Sequence, residues 1–394
     1  MLPHHPGKQL PAASQRLAGL DHLRALAILL VFLYHYRLFG HPVWIERLGT
    51  FGWTGVDLFF VLSGYLIGGQ LLAPFARQRP LSLRDFYLKR SFRILPAYLV
   101  VVLLYFTVPA FVERSHLAPL WKFLTFTQNF GLDLRSQGAF SHAWSLCIEE
   151  QFYLLLPFSI LLLAGGQRNG RALRHAGWVL LILFVAGFGI RWFGWEHFVA
   201  PVARAEDGDL GLAYYKYIYY PTYNRLDGLL AGVALAALFH FRPRLRERLT
   251  RYGNAFFLLS LLLLTGAYFV VEDLSLSAVV FGFPLISLGY GVLVLAALSP
   301  SCFLYRYSSR LSTFVATLSY SLYLTHKGLI HLTHLLLTRQ GISPDSYTLF
   351  WASAVVSVLG AWLLHLAIEK PFLRLRDKVL YFPFLPANGS VDRE

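Results

Sequence analysis

The sequence is poor in charged residues and in cysteine. Asp, Glu, Lys and Arg make up 14% of its 394 residues, whereas 56% are hydrophobic and 16% aromatic. Together with a mean hydropathy of +0.52, this composition excludes an ordinary soluble fold. Two cysteines, Cys147 and Cys302, are too few for a disulfide framework or a cysteine-based zinc site. No metal site is expected.

Long apolar runs are present instead, and they predict an all-α, polytopic membrane helix bundle with about ten transmembrane helices. The expected organisation is an N-terminal tail (1–19), a membrane domain (20–370) and a C-terminal tail (371–394). The predicted spans lie near 20–39, 55–73, 94–113, 143–165, 177–197, 223–241, 254–272, 278–299, 314–337 and 347–370.

The basic residues of the loops predict the orientation in the membrane. Threading through ten spans leaves 23 Lys and Arg residues on the side of the two termini and 7 on the other. The positive-inside rule therefore predicts a multi-pass protein of the cell inner membrane with both termini cytoplasmic. Because these residues lie beside hydrophobic spans, the net charge of +14 indicates contact with the lipid bilayer and no nucleic acid partner.

The first span carries two ionisable residues, Arg24 and His35, within LDHLRALAILLVFLYHYRLF. Eleven residues turn a helix through about 1100°, so both side chains share one face about 16 Å apart along the axis. Ionisable groups in a membrane helix indicate function. This polar stripe predicts an enzyme built within the bilayer.

The second span contains GVDLFFVLSGYLIGG, with Asp57 near its outer end and Ser63, Gly64 and Tyr65 further in. A carboxylate in lipid needs a cationic or histidine partner, and the adjoining first helix makes His35 the nearest candidate for Asp57. Gly64 is open to two interpretations, close helix packing or a place in the site.

Arg90 and Arg93 lie three residues apart at the inner boundary of the third span, within FYLKRSFRILP. Such a pair either anchors the topology by reaching lipid headgroups or binds a phosphate in a bidentate manner. Pro96 follows directly and orients both guanidinium groups toward one place, so a phosphate clamp is at least as well supported.

The fourth, sixth and ninth spans contain further polar residues. In the fourth, Glu149 is preferred over Glu150 as the cavity-facing acid, although a structural role for both is open. The two histidines near the end of the ninth span are weak evidence for a metal. The polar residues are His142, Trp144, Ser145, Glu149, Glu150 and Tyr153 in the fourth span, Arg225 and Asp227 in the sixth, and Ser319, Tyr323, His326, Lys327, His331 and His334 in the ninth.

The motifs occur in an order that resembles the acyltransferase-3 family of integral membrane proteins. They are Arg24 with His35, VDLFFVLSGYLI, KRSFRILPAY, HAWSLCIEEQFYLLLP, YNRLDGLLAG and LSYSLYLTH. The resemblance implies ten membrane helices and transfer of an acyl group, usually acetyl, from cytoplasmic acyl-CoA to a carbohydrate or related acceptor. It places Arg24 and His35 at the essential first-helix positions, Arg90 with Arg93 as the family's arginine pair, and Glu149 with Glu150 as its tandem acids.

The mechanism expected from this resemblance is one passage through the membrane. Arg24, Arg90 and Arg93 would hold the phosphates of acetyl-CoA or another acyl-CoA, whose arm of roughly 15 Å matches the rise to His35. His35 would act as base or nucleophile. Asp57 or Glu149 is expected to orient His35, and Glu150 to contribute to catalysis. The oxyanion would be bound by Tyr65, Tyr323, His326 or Arg225, and the cofactor would be contacted by Ser63, Gly64 and Tyr65. Contacts to the acceptor are expected from Arg225, Asp227, His142 and Trp144.

Several questions stay open at the level of the sequence. The acceptor is expected to be a cell-surface, exported or lipid-linked glycan, with a macrolide or other secondary metabolite as the alternative. A stand-alone form without a fused hydrolase-like domain is expected, and a homo-oligomer is compatible with the sequence. The rival function is a transporter or flippase, which is disfavoured because no internal repeat is present.

Overall fold

The computed structural model describes residues 17–164, 170–205 and 208–381. Most of the predicted N-terminal tail and the end of the C-terminal tail lie outside these residues. Ten principal helices follow the predicted spans. They are α1 (Ala18–Tyr36), α2 (Gly55–Ala76), α3 (Leu83–Thr107), α4 (Trp144–Ala164), α5 (Gly170–Gly194), α6 (Asp227–Phe241), α7 (Gly253–Val271), α8 (Phe283–Ala297), α9 (Arg310–Thr338) and α10 (Tyr347–Leu364).

Shorter helical segments connect these helices, and the described residues form no strand. The short α-helices are Val43–Gly49, Leu120–Leu124, Ala200–Ala203, Leu210–Tyr214, Pro243–Leu249, Phe303–Arg306 and Lys370–Tyr381. Single 3₁₀ turns are Gly52–Thr54, Pro109–Phe111, Ser141–Ala143, Thr222–Asn224 and Thr250–Tyr252, and π-helical turns are Trp195–Val199, Tyr215–Tyr219, Ala278–Gly282 and His365–Glu369.

The predicted all-α membrane bundle is confirmed. Among the described residues, eight helical stretches are long and apolar enough to cross a membrane. The other two predicted spans correspond to α6, which has 15 residues, and α9, whose 29 residues include Arg310 and the buried Lys327. The cytoplasmic position of both termini stays a prediction.

One predicted span differs from its helix at both ends. The span expected at 94–113 belongs to a helix that begins at Leu83, where the Ser82 hydroxyl accepts a hydrogen bond from the Asp85 backbone at 3.2 Å, and ends at Thr107. The polar N-cap Ser82 thus starts this helix before its apolar stretch. The C-terminal tail expected from residue 371 contains most of the helix Lys370–Tyr381, which follows α10 through a π-helical turn.

Close helix contacts place α1 at the centre of the site. It packs between α2 and α9, and α2 in turn has its most extensive contact with α6. Glycines make that contact possible, because a Cβ on Gly232 would lie 2.2 Å from the Val61 carbonyl oxygen. The polar faces of α1, α2 and α9 are therefore turned toward one another and toward α4 inside the bundle.

Candidate active site

The three predicted arginines meet in one cavity at the N-terminal halves of α1 and α3. This arginine cavity has a volume of about 120 Å³, and Arg24, Arg90 and Arg93 all line it. The Arg90 guanidinium lies 5.2 Å from the centre of the Tyr153 ring, which holds it against α4. Guanidinium groups from two helices can bind phosphate oxygens there.

Glu149 lines the same cavity, whereas Glu150 does not appear among the described residues that line it. The Glu149 carboxylate accepts hydrogen bonds from the Ser63 hydroxyl at 2.8 Å and from the Tyr153 hydroxyl at 3.1 Å. The structure therefore joins Ser63, Glu149 and the arginines, and Glu149 is not among the described residues that line the cavity containing His35, so it does not orient His35 as predicted.

His35 is paired with His326, with 2.8 Å between Nδ1 of His35 and Nε2 of His326. Nδ1 of His326 faces the carbonyl oxygens of Leu322 and Tyr323 at 3.0 and 2.9 Å. Because carbonyl oxygens only accept, Nδ1 of neutral His326 carries the proton and its Nε2 accepts one from Nδ1 of His35. Nε2 of His35 is then left with a free lone pair, as a base or nucleophile requires.

Nε2 of His35 makes no hydrogen bond to any described residue, and His35 lines a second cavity of about 120 Å³ near the C-terminal end of α1. We call this the histidine cavity. His142 completes a triangle of imidazoles, with ring centres 5.6 Å from His35 and 5.1 Å from His326. Within the described part of the chain, both ring nitrogens of the buried His142 lack a hydrogen-bond partner, and no metal-binding group is found.

A buried cation borders the histidine cavity. Lys327 lines it, and its ammonium pairs with Glu113 at 2.8 Å and lies 3.5 Å from the Ser141 hydroxyl. Burial raises the pKa of the Glu113 carboxyl, but the charge and hydrogen bond of Lys327 lower it more, so this pKa lies below its usual value. The positive charge of Lys327 is thus held beside the histidines.

A wall separates the arginine cavity from the histidine cavity. Tyr323 accepts a hydrogen bond from the Ser145 hydroxyl at 2.6 Å and donates one to the His142 carbonyl oxygen at 2.6 Å. Val56 lines both cavities. The single continuous passage predicted from the sequence is therefore interrupted in this conformation, because Tyr323 links α9 to α4 across it.

Asp57 does not pair with His35 as predicted. Its carboxylate binds Arg225 at 2.8 Å. The Arg225 guanidinium is fully buried among aromatic rings, 4.1 Å from the centre of Phe283 and 4.5 Å from that of Tyr219. Asp57 therefore does not orient His35, and Arg225, expected as an oxyanion donor or acceptor contact, is not among the described residues that line either cavity.

Asp227 is likewise engaged, in a buried ion pair with Arg191 at 2.7 Å. The expected cofactor contacts from Gly64 and Tyr65 are also corrected. A Cβ on Gly64 would lie 2.2 Å from the Leu229 carbonyl oxygen, and Tyr65 packs edge-on against Phe239. Both residues face α6, so of the three predicted cofactor contacts on α2 only Ser63 lines the arginine cavity.

Comparison with known proteins supports the assignment by motif. A family model described as an acyltransferase domain matches residues 17–366. The chain belongs to the acyltransferase-3 family. It is 29% identical to the peptidoglycan O-acetyltransferase OatA of Listeria monocytogenes serovar 1/2a, over 80% of this chain and 49% of that protein. It is 28% identical to the O-acetyltransferase OatA of Staphylococcus aureus strain MRSA252, over 95% of this chain and 60% of that protein.

The chain thus spans about half to three fifths of the length of these curated relatives. No solved structure matches it. The matched region of this acyltransferase-3 protein contains the whole of α1 to α10 and with them both cavities.

Sequence reasoning missed three features of this acyltransferase-3 site. Glu113 lies in a loop although it was counted within a predicted span, and Arg191 was not recognised as the partner of Asp227. Tyr34 and Tyr215, whose hydroxyls are 2.9 Å apart, line the histidine cavity. Only the unusual density of tyrosine at 214–220 could have indicated the last of these.

Proposed function

We propose that this protein is a membrane O-acyltransferase that moves an acetyl group from cytoplasmic acetyl-CoA to a hydroxyl of a carbohydrate on the outer side of the inner membrane. The observation that carries the proposal is the pairing of Nδ1 of His35 with His326, which leaves Nε2 of His35 without a partner among the described residues while His35 lines the histidine cavity. The names of the OatA relatives support transfer of acetyl groups to a glycan.

The donor binds at the arginine cavity in this proposal. Arg24, Arg90 and Arg93 hold the phosphates of CoA, and the pantetheine arm, roughly 15 Å long, runs along α1 toward His35. Tyr323 and Ser145 must separate for the thioester to pass, because their hydrogen bond lies between the two cavities.

Transfer follows from the protonation state of the histidine pair. Nε2 of His35 takes the proton of the acceptor hydroxyl, and the oxygen of that hydroxyl attacks the thioester carbonyl carbon. The C–O bond forms, the C–S bond breaks, and the proton passes from His35 to the departing thiolate. His326 stabilises the transient imidazolium by accepting its Nδ1 hydrogen bond, and the Lys327 ammonium stabilises the oxyanion electrostatically.

Purified protein in nanodiscs tests this proposal with labelled acetyl-CoA and hydroxylamine as a small acetyl acceptor. His35→Ala should lower the rate at least 10²-fold, the lower limit for a positioned general base. Arg93→Ala should raise the KM for acetyl-CoA by roughly 10-fold to 100-fold, as expected for hydrogen bonds to charged groups. Lys89→Ala is the matched control, because this exposed residue of α3 does not line the arginine cavity. Unchanged turnover in folded His35→Ala would refute the proposal.

A further inference from the structure

The histidine cavity adjoins a second outer cavity with a volume of about 160 Å³. Four aromatic side chains line both cavities, and we call them the aromatic cleft: Tyr34, Trp53, Tyr215 and Tyr219. The second cavity, here the rim cavity, is bordered by the carboxylates of Glu272 and Asp273, both residues exposed in the loop after α7. A continuous lining of rings thus leads from the outer surface toward His35.

A tyrosine pair stands at the boundary between the two cavities. The hydroxyls of Tyr34 on α1 and Tyr215 in the outer loop are 2.9 Å apart, and both residues line both cavities. Tyr215 and Tyr219 belong to a single π-helical turn, a distortion that is common at functional sites. Breaking the hydrogen bond between Tyr34 and Tyr215 would join the two cavities.

The lining selects a chemical class of ligand. Aromatic faces stack on the C–H faces of sugar rings, and tyrosine hydroxyls and carboxylates bond to sugar hydroxyls. The two carboxylates at the rim repel an anionic ligand, whereas a purely apolar ligand would leave them unpaired on its surface. The chemistry of the rim cavity therefore favours an uncharged or amino sugar there, and the cations Arg114 and Lys327 line only the adjoining histidine cavity.

We propose that the aromatic cleft binds the acceptor as a chain of at least two linked, uncharged or amino sugars. One ring occupies the rim cavity against Tyr215 and Tyr219, and the neighbouring ring reaches His35 once the Tyr34–Tyr215 hydrogen bond opens. This inference rests on the proposed function for the reaction at His35, and it adds the place, the minimum length and the charge of the acceptor.

Binding and transfer can be measured separately with chito-oligosaccharides as the probe. Saturation-transfer NMR on protein in nanodiscs should detect binding of chitotetraose. Binding of the single sugar N-acetylglucosamine should be at least tenfold weaker. Tyr215→Ala should weaken binding of chitotetraose at least tenfold, whereas Tyr215→Phe, which keeps the ring and loses only the hydroxyl, should weaken it less than Tyr215→Ala does. Tyr217→Ala is the control, since Tyr217 stacks on Phe198 and lines neither cavity.

Transfer distinguishes this inference from the proposed function. The ratio of acetyl transfer to chitotetraose over transfer to hydroxylamine should fall at least tenfold in Tyr215→Ala and stay constant in Tyr217→Ala. If the unmodified protein does not acetylate hydroxylamine, the proposed function is refuted. The binding of chitotetraose would still test the inference about the aromatic cleft. The proposal that the aromatic cleft binds the acceptor would be overturned if chitotetraose did not bind, or if Tyr215→Ala bound it as tightly as the unmodified protein.

Discussion

The histidine pair on α1 and α9 replaces the carboxylate that often supports a catalytic histidine. A carboxylate accepts from Nδ1 with a full negative charge, whereas His326 accepts with a neutral ring whose own proton is fixed by two backbone carbonyls. A neutral acceptor avoids the cost of a further buried anion beside His35. In the proposed mechanism, His326 is thus a positioning residue that selects the tautomer of His35.

The first prediction concerns that pair. His326→Ala should lower the kcat of acetyl transfer roughly 10²-fold, because His35 loses the acceptor that fixes its tautomer. The KM for acetyl-CoA should stay constant, since His326 is absent from the described lining of the arginine cavity. Steady-state kinetics on nanodisc-embedded protein would check this. His334 on the same helix, which contacts Tyr36, provides the control. If its substitution lowered kcat as much as His326→Ala does, a specific role of His326 would be contradicted.

A second prediction at the residue scale concerns the ion pair of Glu113 and Lys327. Glu113→Gln leaves the buried Lys327 ammonium without its partner and should cost about 3–5 kcal/mol of stability at pH 7. The control is Glu46→Gln, whose partner Arg37 lies at the surface and whose side chain is half exposed, with a cost below about 1 kcal/mol. Denaturant unfolding in detergent measures both.

The pH dependence of this pair has a defined sign. The folded-state pKa of Glu113 lies below its ordinary value of 4.5, so the carboxylate stabilises the folded protein above that pH. The stabilisation is lost as the pH falls through the folded-state pKa. The stability difference between the unmodified protein and Glu113→Gln should therefore narrow below pH 4.5, and a constant difference down to pH 3 would contradict the assignment.

At the scale of elements, the contact between α2 and α6 sets the geometry on both sides of the membrane. Gly64 and Gly232 let the two backbones touch. On the same helix, the Asp57 carboxylate binds Arg225 and the Ser63 hydroxyl donates a hydrogen bond to Glu149. A small change in the separation of the helices would therefore reach the buried ion pair and the arginine cavity together.

Gly64→Ala tests this coupling. The added Cβ would lie 2.2 Å from the Leu229 carbonyl oxygen, so the helices must move apart, at a cost of about 1–3 kcal/mol. Thermal unfolding and the KM for acetyl-CoA should both report the change. Gly69→Ala on the same helix is the control, because its Cβ would meet His240 at an ordinary 3.7 Å. Equal effects of the two substitutions would exclude the contact as the cause.

The periodicity of single helices was enough to predict the helical bundle and the polar faces within each helix, whereas the meeting of Arg24 with Arg90 and Arg93 was expected only from the family resemblance. Arg24 and His35 share a face of α1 because eleven residues nearly complete three turns, and Arg90 lies one turn from Arg93. The positions of Glu149 and Ser145 on one face of α4 follow from the same rule. These inferences needed only the local geometry of a helix.

Partners on distant segments could not be predicted in this way. Asp57 pairs with Arg225, 168 residues further along the chain, and His35 pairs with His326, 291 residues away. Proximity along the chain favoured His35 for Asp57, but the α2–α6 contact places Arg225 closer. The wall formed by Tyr323 was also unpredictable, because it depends on the distance between α4 and α9.

At the scale of the whole molecule, the two cavities lie at opposite ends of α1. Arg24 is in the first half of the helix and His35 one residue from its end, about 16 Å apart along the axis. In the predicted orientation, the basic loops lie on the side of the arginine cavity. The proposed donor and acceptor would therefore approach from opposite faces of the membrane, and the reaction requires a fixed orientation of the chain.

Cysteine labelling tests that orientation. The native cysteines, Cys147 and Cys302, are buried and should not react with a membrane-impermeant maleimide. Gln340→Cys, exposed between α9 and α10, should be labelled in intact spheroplasts, whereas Glu247→Cys, exposed between α6 and α7, should be labelled only after lysis. The reverse pattern would place the arginine cavity outside, where acyl-CoA is absent, and would refute cytoplasmic donor binding. Labelling of both sites in intact spheroplasts would show leakage and require sealed vesicles of known orientation.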